Sequence, residues 1–152
     1  MILKCLITYE PIIEQAARQT SVDFQAFRVS NPSADTVYDD FTMSPDDFAE
    51  CRDQLRGHIT DTLYVYLARY VKEIFRDNPR DMYISFDLQD EAEKCIVESM
   101  IGDVLKYGLL SWWYALRSQP HMIHYTKQHI STLEKLNGIV RPKVVYTTGS
   151  YY

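Results

Sequence analysis

The sequence predicts a mainly α protein: a helical bundle of two long and two shorter helices, with a minor β element and an extended C-terminal arm. Three observations carry this. Apolar residues recur at steps of three, four and seven across residues 44–76, and a wide apolar stripe at steps of four and eight runs across 90–117, spacings that keep one face of a helix apolar. Residues 82–88 alternate apolar and polar side chains without a break, the period of a half-buried strand. Residues 139–152 have no helical period and are β-branched, basic and tyrosine-rich.

The 152 residues suit a single domain, 1–152, with 139–152 as its arm. Its first element is a short helix over Pro11–Gln19, with proline in the opening turn and Ile12, Ile13, Ala16 and Ala17 on the apolar side. Residues 20–43 read as irregular, because Asn31-Pro32-Ser33 interrupts any pattern and Val22, Phe24, Phe27 and Val29 only hint at alternation. Ser44-Pro45-Asp46-Asp47 starts the first long helix: a serine cap, a proline for the first helical position and two carboxylates for the positive end of the dipole. Phe48, Leu55, Ile59, Leu63, Leu67, Val71 and Ile74 carry it to about Arg76, where Asp77-Asn78-Pro79 stops it. Gly57 in its middle marks a bend or a close crossing.

Met82, Ile84, Phe86 and Leu88 share one face of the strand, whose partner is Leu3 to Thr8, the stretch around Phe27, or the C-terminal tail. Asp90 opens the second long helix, with a stripe of Ile96, Met100, Val104, Trp112 and Leu116 ending near Arg117; Gly102 and Gly108 imply tight packing. After Gln119-Pro120 comes the last helix, His121–Leu136, closed by Asn137-Gly138 in the manner of a left-handed cap. Pro142 confines the tail from Ile139 onward to an edge strand or an extended arm.

Composition narrows the function classes. Hydrophobic residues at 46% and charged residues at 24% exclude a disordered or collagen-like chain. Cys5, Cys51 and Cys95 are too few and too far apart for a disulfide framework or a metal knuckle, and read as reduced core thiols. The apolar run in MILKCLITY is too short for a signal peptide, and the uncharged stretch Tyr107–Leu116 is about half a membrane span, so no membrane association is expected. The net charge of −5 divides into −7 over residues 1–90 and +2 over 91–152. Such polarity suits packing between copies better than nucleic-acid binding, which needs clustered basic charge. The 12 tyrosines include Tyr64, Tyr66 and Tyr70 on a long helix and Tyr146, Tyr151 and Tyr152 on the tail, a distribution that favours contact surface over a cavity.

Candidate chemistry is sparse. His121, His124 and His129 form H-x2-H-x4-H, whose first two members stand on one side of a helix turn as metal ligands would, but no acid completes the set. Asp35, Asp39, Asp40, Asp46 and Asp47 lack the spacing of a calcium loop, and the last two are explained as first-turn helix residues. There is no phosphate-cradling glycine loop and no glycine-framed nucleophile, so no cofactor and no enzymatic activity are expected. In the knot Tyr107, Trp112, Trp113 and Tyr114, adjacent tryptophans diverge around the helix: Trp112 faces the core and Trp113 faces another helix or another subunit.

The order MYISFDL, EAEKCIVESMIGDVLKYGLLSWWYAL, RSQPH, MIHYTKQHISTLEKLNG and IVRPKVVY, over about residues 82–145, resembles small proteins encoded in the structural-gene regions of tailed phages and prophages of Bacteroides-type bacteria; Trp113, Leu133, Leu136, Arg141 and Pro142 are the matching positions. The resemblance implies a non-catalytic virion protein of the neck, head-tail connector or tail-completion kind, assembled in the bacterial cytoplasm. It also implies a ring of copies that meets portal or tail components, with DNA in a nearby channel and no sequence-specific binding of it. The expected contact residues are Asp39, Asp40, Asp46 and Asp47 of the acidic segment, Trp113, and Arg141, Lys143, Val144, Val145, Tyr146, Tyr151 and Tyr152 of the arm, which could add a strand to a neighbour's sheet. The alternatives are a host-encoded helical interaction module, or a metal-dependent enzyme using the His121, His124 and His129 helix.

Overall fold

The structure, a computed structural model, describes residues 2–30, 41–75, 80–88 and 92–140. It is a mainly helical body with one small antiparallel sheet. In chain order the elements are β1 (Ile2–Thr8), α1 (Tyr9–Ser30), a 3-10 turn (Pro45–Asp47), α2 (Phe48–Gln54), a π-turn (Leu55–Ile59), α3 (Thr60–Leu67), β2 (Val71–Phe75), β3 (Asp81–Asp87), α4 (Ala92–Tyr114) and α5 (Gln119–Val140).

The alternating strand over 82–88 is the centre of the sheet, whose order is β1-β3-β2. Of the three candidate partners, Leu3 to Thr8 is the one that pairs: Leu3 lies opposite Phe86, Cys5 opposite Ile84 and Ile7 opposite Met82. All six are buried, so the inner face of the sheet is continuous with the core. Phe27 belongs to α1 rather than to a strand, and the tail from residue 141 lies outside the described residues. The second partner, β2, occupies residues expected to be helical. The helix ends at Leu67, Tyr70 donates its amide to the Leu67 carbonyl at 2.9 Å, and the chain turns into Val71–Phe75. Val71 and Ile74 fit a helical step because a bulge between Val71 and Glu73 displaces the strand's alternation.

β1 passes directly into α1, where the Tyr9 amide donates to the Arg80 carbonyl at 2.9 Å. Pro11 falls in the first turn, where an amide hydrogen has no intrahelical partner. The helix is 22 residues long and does not stop at Gln19. Its buried face, Tyr9, Ile12, Ile13, Ala16, Thr20 and Phe24, includes a threonine where the sequence reads a break. Thr20 is satisfied on both sides: its hydroxyl donates to the Ala17 carbonyl at 2.7 Å and accepts the Met43 amide at 3.0 Å.

The predicted start at Ser44 is present, with the Ser44 amide donating to Oδ2 of Asp47 at 2.9 Å. Cys51, Leu55, Ile59, Leu63 and Leu67 are then buried at successive steps of four. Each four-residue step overshoots a full α-turn by about 40°, so four of them would carry the stripe about 160° around a plain helix. The extra residue absorbed by the π-turn takes back about 100°, keeping all five on the core. Thr60 supports the turn by donating its hydroxyl to the Leu55 carbonyl.

α4 and α5 form a helical hairpin, with α4 packed also against α1 and β1. The buried residues of α4 are Val97, Ile101, Val104, Leu105, Leu109, Leu110, Trp113 and Tyr114, while Ile96 and Leu116 of the expected stripe are exposed. The last helix is longer than expected. Gly138 takes no left-handed conformation, and α5 continues through it to bury Val140. The first two residues of the expected arm, Ile139 and Val140, therefore belong to the body.

Candidate functional site

A strand with one face in the core presents its other face elsewhere. On β1 that face carries Ile2, Lys4 and Leu6, and on β3 the paired positions Asp87, Ser85 and Tyr83. Ile2 is 66% exposed, Leu6 42% and Tyr83 36%. Lys4 extends over the Tyr83 ring, its Nζ 4.7 Å from the centroid. The result is an exposed apolar group, Ile2, Leu6 and Tyr83, with Lys4 and the Asp87 carboxylate beside it, while Ser85 between them is buried. The edge of β1 is closed to strand addition at its centre, because the Leu6 amide donates to Oε1 of Glu98 on α4 at 3.2 Å. The other edge is interrupted by the β2 bulge. A further exposed apolar group, Tyr64, Val65 and Tyr66, lies on α3. Sequence reasoning missed the β1 patch, although its signal is legible: Ile2 and Leu6 place apolar residues on the face opposite Leu3, Cys5 and Ile7.

The expected contact residues fare differently. Trp113 is 1% exposed and cannot serve an interface. Its Nε1 donates to the Phe41 carbonyl at 3.0 Å and the Arg117 guanidinium lies 3.6 Å from its ring centroid, while Trp112 is the half-buried member of the pair. Asp46 is exposed, and Asp47 is engaged in the cap with Ser44. Asp39, Asp40, Arg141, Lys143, Val144, Val145, Tyr146, Tyr151 and Tyr152 lie outside the described residues.

The three histidines do not converge, and no group of three or more metal-binding side chains occurs among the described residues. His121 stacks on Tyr114 with centroids 4.9 Å apart and shares a 2.6 Å hydrogen bond with the Ser118 hydroxyl. His124 is exposed. His129 turns Nδ1 to the Val104 carbonyl at 2.9 Å. Of the cysteines, Cys5 and Cys51 are buried thiols as expected, but Cys95 is exposed.

Three aromatic side chains do pool, contrary to the expectation from their distribution in sequence. Tyr114 and Tyr125 both donate their hydroxyls to Oδ2 of Asp23, at 2.9 and 2.6 Å, and Gln19 donates to Oδ1 at 3.0 Å. The tyrosine rings stack with centroids 5.7 Å apart, and Tyr107 stacks on Tyr125 at 6.2 Å. Burial, then the Asp23 carboxylate, raises the pKa of both phenols far above their ordinary range, so they remain donors. This cluster joins α1, α4 and α5.

On another side of the hairpin, a cleft of about 260 Å³ opens between the π-turn and α5. Ile59, Trp112 and Met122 form apolar walls, and Thr62, Ser111 and His129 supply polar atoms. Gly108 lets these elements approach: a Cβ there would stand 2.9 Å from Cγ2 of Ile59 and 3.1 Å from the His129 ring. Gly102 and Gly57 have no such neighbour within 4 Å, so neither marks a close contact.

No helix among the described residues is long and apolar enough to cross a membrane. Compared with known proteins, the chain matches no family model, no curated protein and no solved structure.

Proposed function

We propose that the chain is a non-catalytic assembly protein of a tailed-phage virion, a ring-forming subunit of the neck, head-tail connector or tail-completion kind. What supports the reading beyond the resemblance over residues 82–145 is the exposed apolar group on the outer face of the sheet. A body that buries Trp113 and Tyr114 yet leaves Ile2, Leu6 and Tyr83 open has contact area to offer a neighbour. The polarity of charge, acidic before residue 90 and basic after it, favours a head-to-tail contact between different patches of successive copies. Portal or tail components are the further partners of such a subunit, in a virion assembled in the bacterial cytoplasm.

Native mass spectrometry with light scattering tests this. Closed rings of many copies are expected, and Leu6→Glu should reduce their abundance while leaving helicity intact, since Leu6 is already partly in water. A monomer at every concentration would overturn the proposal, and a discrete complex with a host protein would favour the interaction module instead.

A further inference from the structure

The cleft between the π-turn and α5 has the features of a ligand site. The Val104 carbonyl can only accept, so Nδ1 of His129 carries the hydrogen and the neutral ring presents Nε2 as an acceptor. Nε2 has no hydrogen-bond partner among the described residues. Burial lowers the basicity of this imidazole, which holds it in the acceptor form at neutral pH. Among the described residues no charged side chain lines the cleft. The flat wall is Trp112, half-buried, with Met122 as an adaptable neighbour. The volume of about 260 Å³ exceeds the roughly 150 Å³ known to hold one benzene ring, and is smaller than the usual drug-sized site. The π-turn supplies the buried Ile59 wall, and such turns recur at functional sites.

We infer that this cleft binds a small uncharged aromatic molecule of one or two rings carrying a hydrogen-bond donor, which Nε2 of His129 accepts while the ring lies on Trp112. The site is separate from the sheet face on which the assembly proposal rests. A charged ligand would enter without a counter-charge and is disfavoured.

Indole and 1-methylindole, which differ in the donor, are suitable probes. Titration followed by NMR should shift the His129 ring and Trp112 indole signals, with an indole dissociation constant of about 1 mM or tighter. 1-Methylindole should bind at least about fivefold more weakly, the loss expected for one buried hydrogen bond. His129→Phe should abolish that preference. Ala115→Trp fills the cleft from an exposed rim position, is not expected to disturb folding, and should remove binding of both probes. Equal binding of the two probes to the unaltered protein, absence of the two shifts, or binding undiminished by Ala115→Trp in a folded variant would each overturn the inference.

Discussion

Tyr125 of α5 donates its hydroxyl to the Asp23 carboxylate of α1 across 2.6 Å, linking positions 102 residues apart. Because Tyr114 of α4 uses the same oxygen, one carboxylate fastens three helices. Asp23→Ala leaves two phenols with no acceptor and should cost about 2–4 kcal/mol; Asp23→Asn keeps a neutral acceptor and should cost less. Urea unfolding measures both. An unchanged midpoint for Asp23→Ala would remove the clasp from the account of stability.

Two glycines on α4 should respond with opposite sign. Gly102→Ala meets nothing and gains helix propensity, so it should stabilise by about 0.5–1 kcal/mol. Gly108→Ala gains the same propensity but drives a methyl against Ile59 and His129, and overpacking of this kind costs about 1–3 kcal/mol. Thermal melts of the pair decide the matter, and equal stabilisation would contradict the close approach at Gly108.

Stability should plateau between about pH 6.5 and 9, the ordinary values for His129 and for the thiols. Burial pushes the Cys5 thiol up to about 11 and the Cys51 thiol up to about 12. The native state then holds these protons more tightly than the unfolded chain, so the benefit is complete below pH 9 and is lost as pH climbs through those values. His129 has the opposite shift. Its neutral form is favoured on folding, and stability declines as pH falls below 6.5. The stability difference between the unaltered protein and Cys5→Ala should therefore narrow from pH 9 to 11, and a constant difference would count against a buried thiol.

Alkylation separates the thiols by access. Under native conditions at pH 8, iodoacetamide should modify Cys95 and spare Cys5 and Cys51; in denaturant all three should react. Peptide mass mapping reads the outcome, and native labelling of Cys5 at the rate of Cys95 would show that β1 opens.

Truncation must respect the end of α5. Removing residues 141–152 keeps the whole of α5 and gives the reference melting temperature. Removing 139–152 also takes Val140, which is 3% exposed, and should cost about 1.5–3 kcal/mol or more. Circular dichroism compares the two, and equal melts would place Val140 outside the core. Oligomer formation by the shorter truncation then reports on the arm without interference from a damaged helix.

The central strand was legible because one face is buried and the pattern is strict. The extent of α1 was not, since its buried face includes Thr20 and is followed by Asp23, whose partners Tyr114 and Tyr125, like the Met43 amide that Thr20 accepts, are remote in sequence. α4 is apolar over most of its circumference, so periodicity could not fix its phase, and Trp112 and Trp113 exchanged their expected roles. Asn137-Gly138 has the residues of a cap, but burial of Val140 favours a further helical turn. The Asp23 cluster was hidden for the same reason as the end of α1: tertiary hydrogen bonds leave no local pattern.

The rod from Phe48 to Leu67 holds one residue more than an uninterrupted α-helix of the same phase would need. The π-turn is thus a stored rotation of about 100°. Deleting one residue at Gly57 would remove the π-turn and leave a plain α-helix with Cys51, Leu55, Ile59, Leu63 and Leu67 still within about 80° of one another, whereas inserting one residue into α3 would turn Leu67 about 100° away from the core. Single-residue insertions in this rod should therefore separate two properties that ordinarily travel together, preserving helix content while losing the alignment of its buried side, and the deletion at Gly57 should keep both.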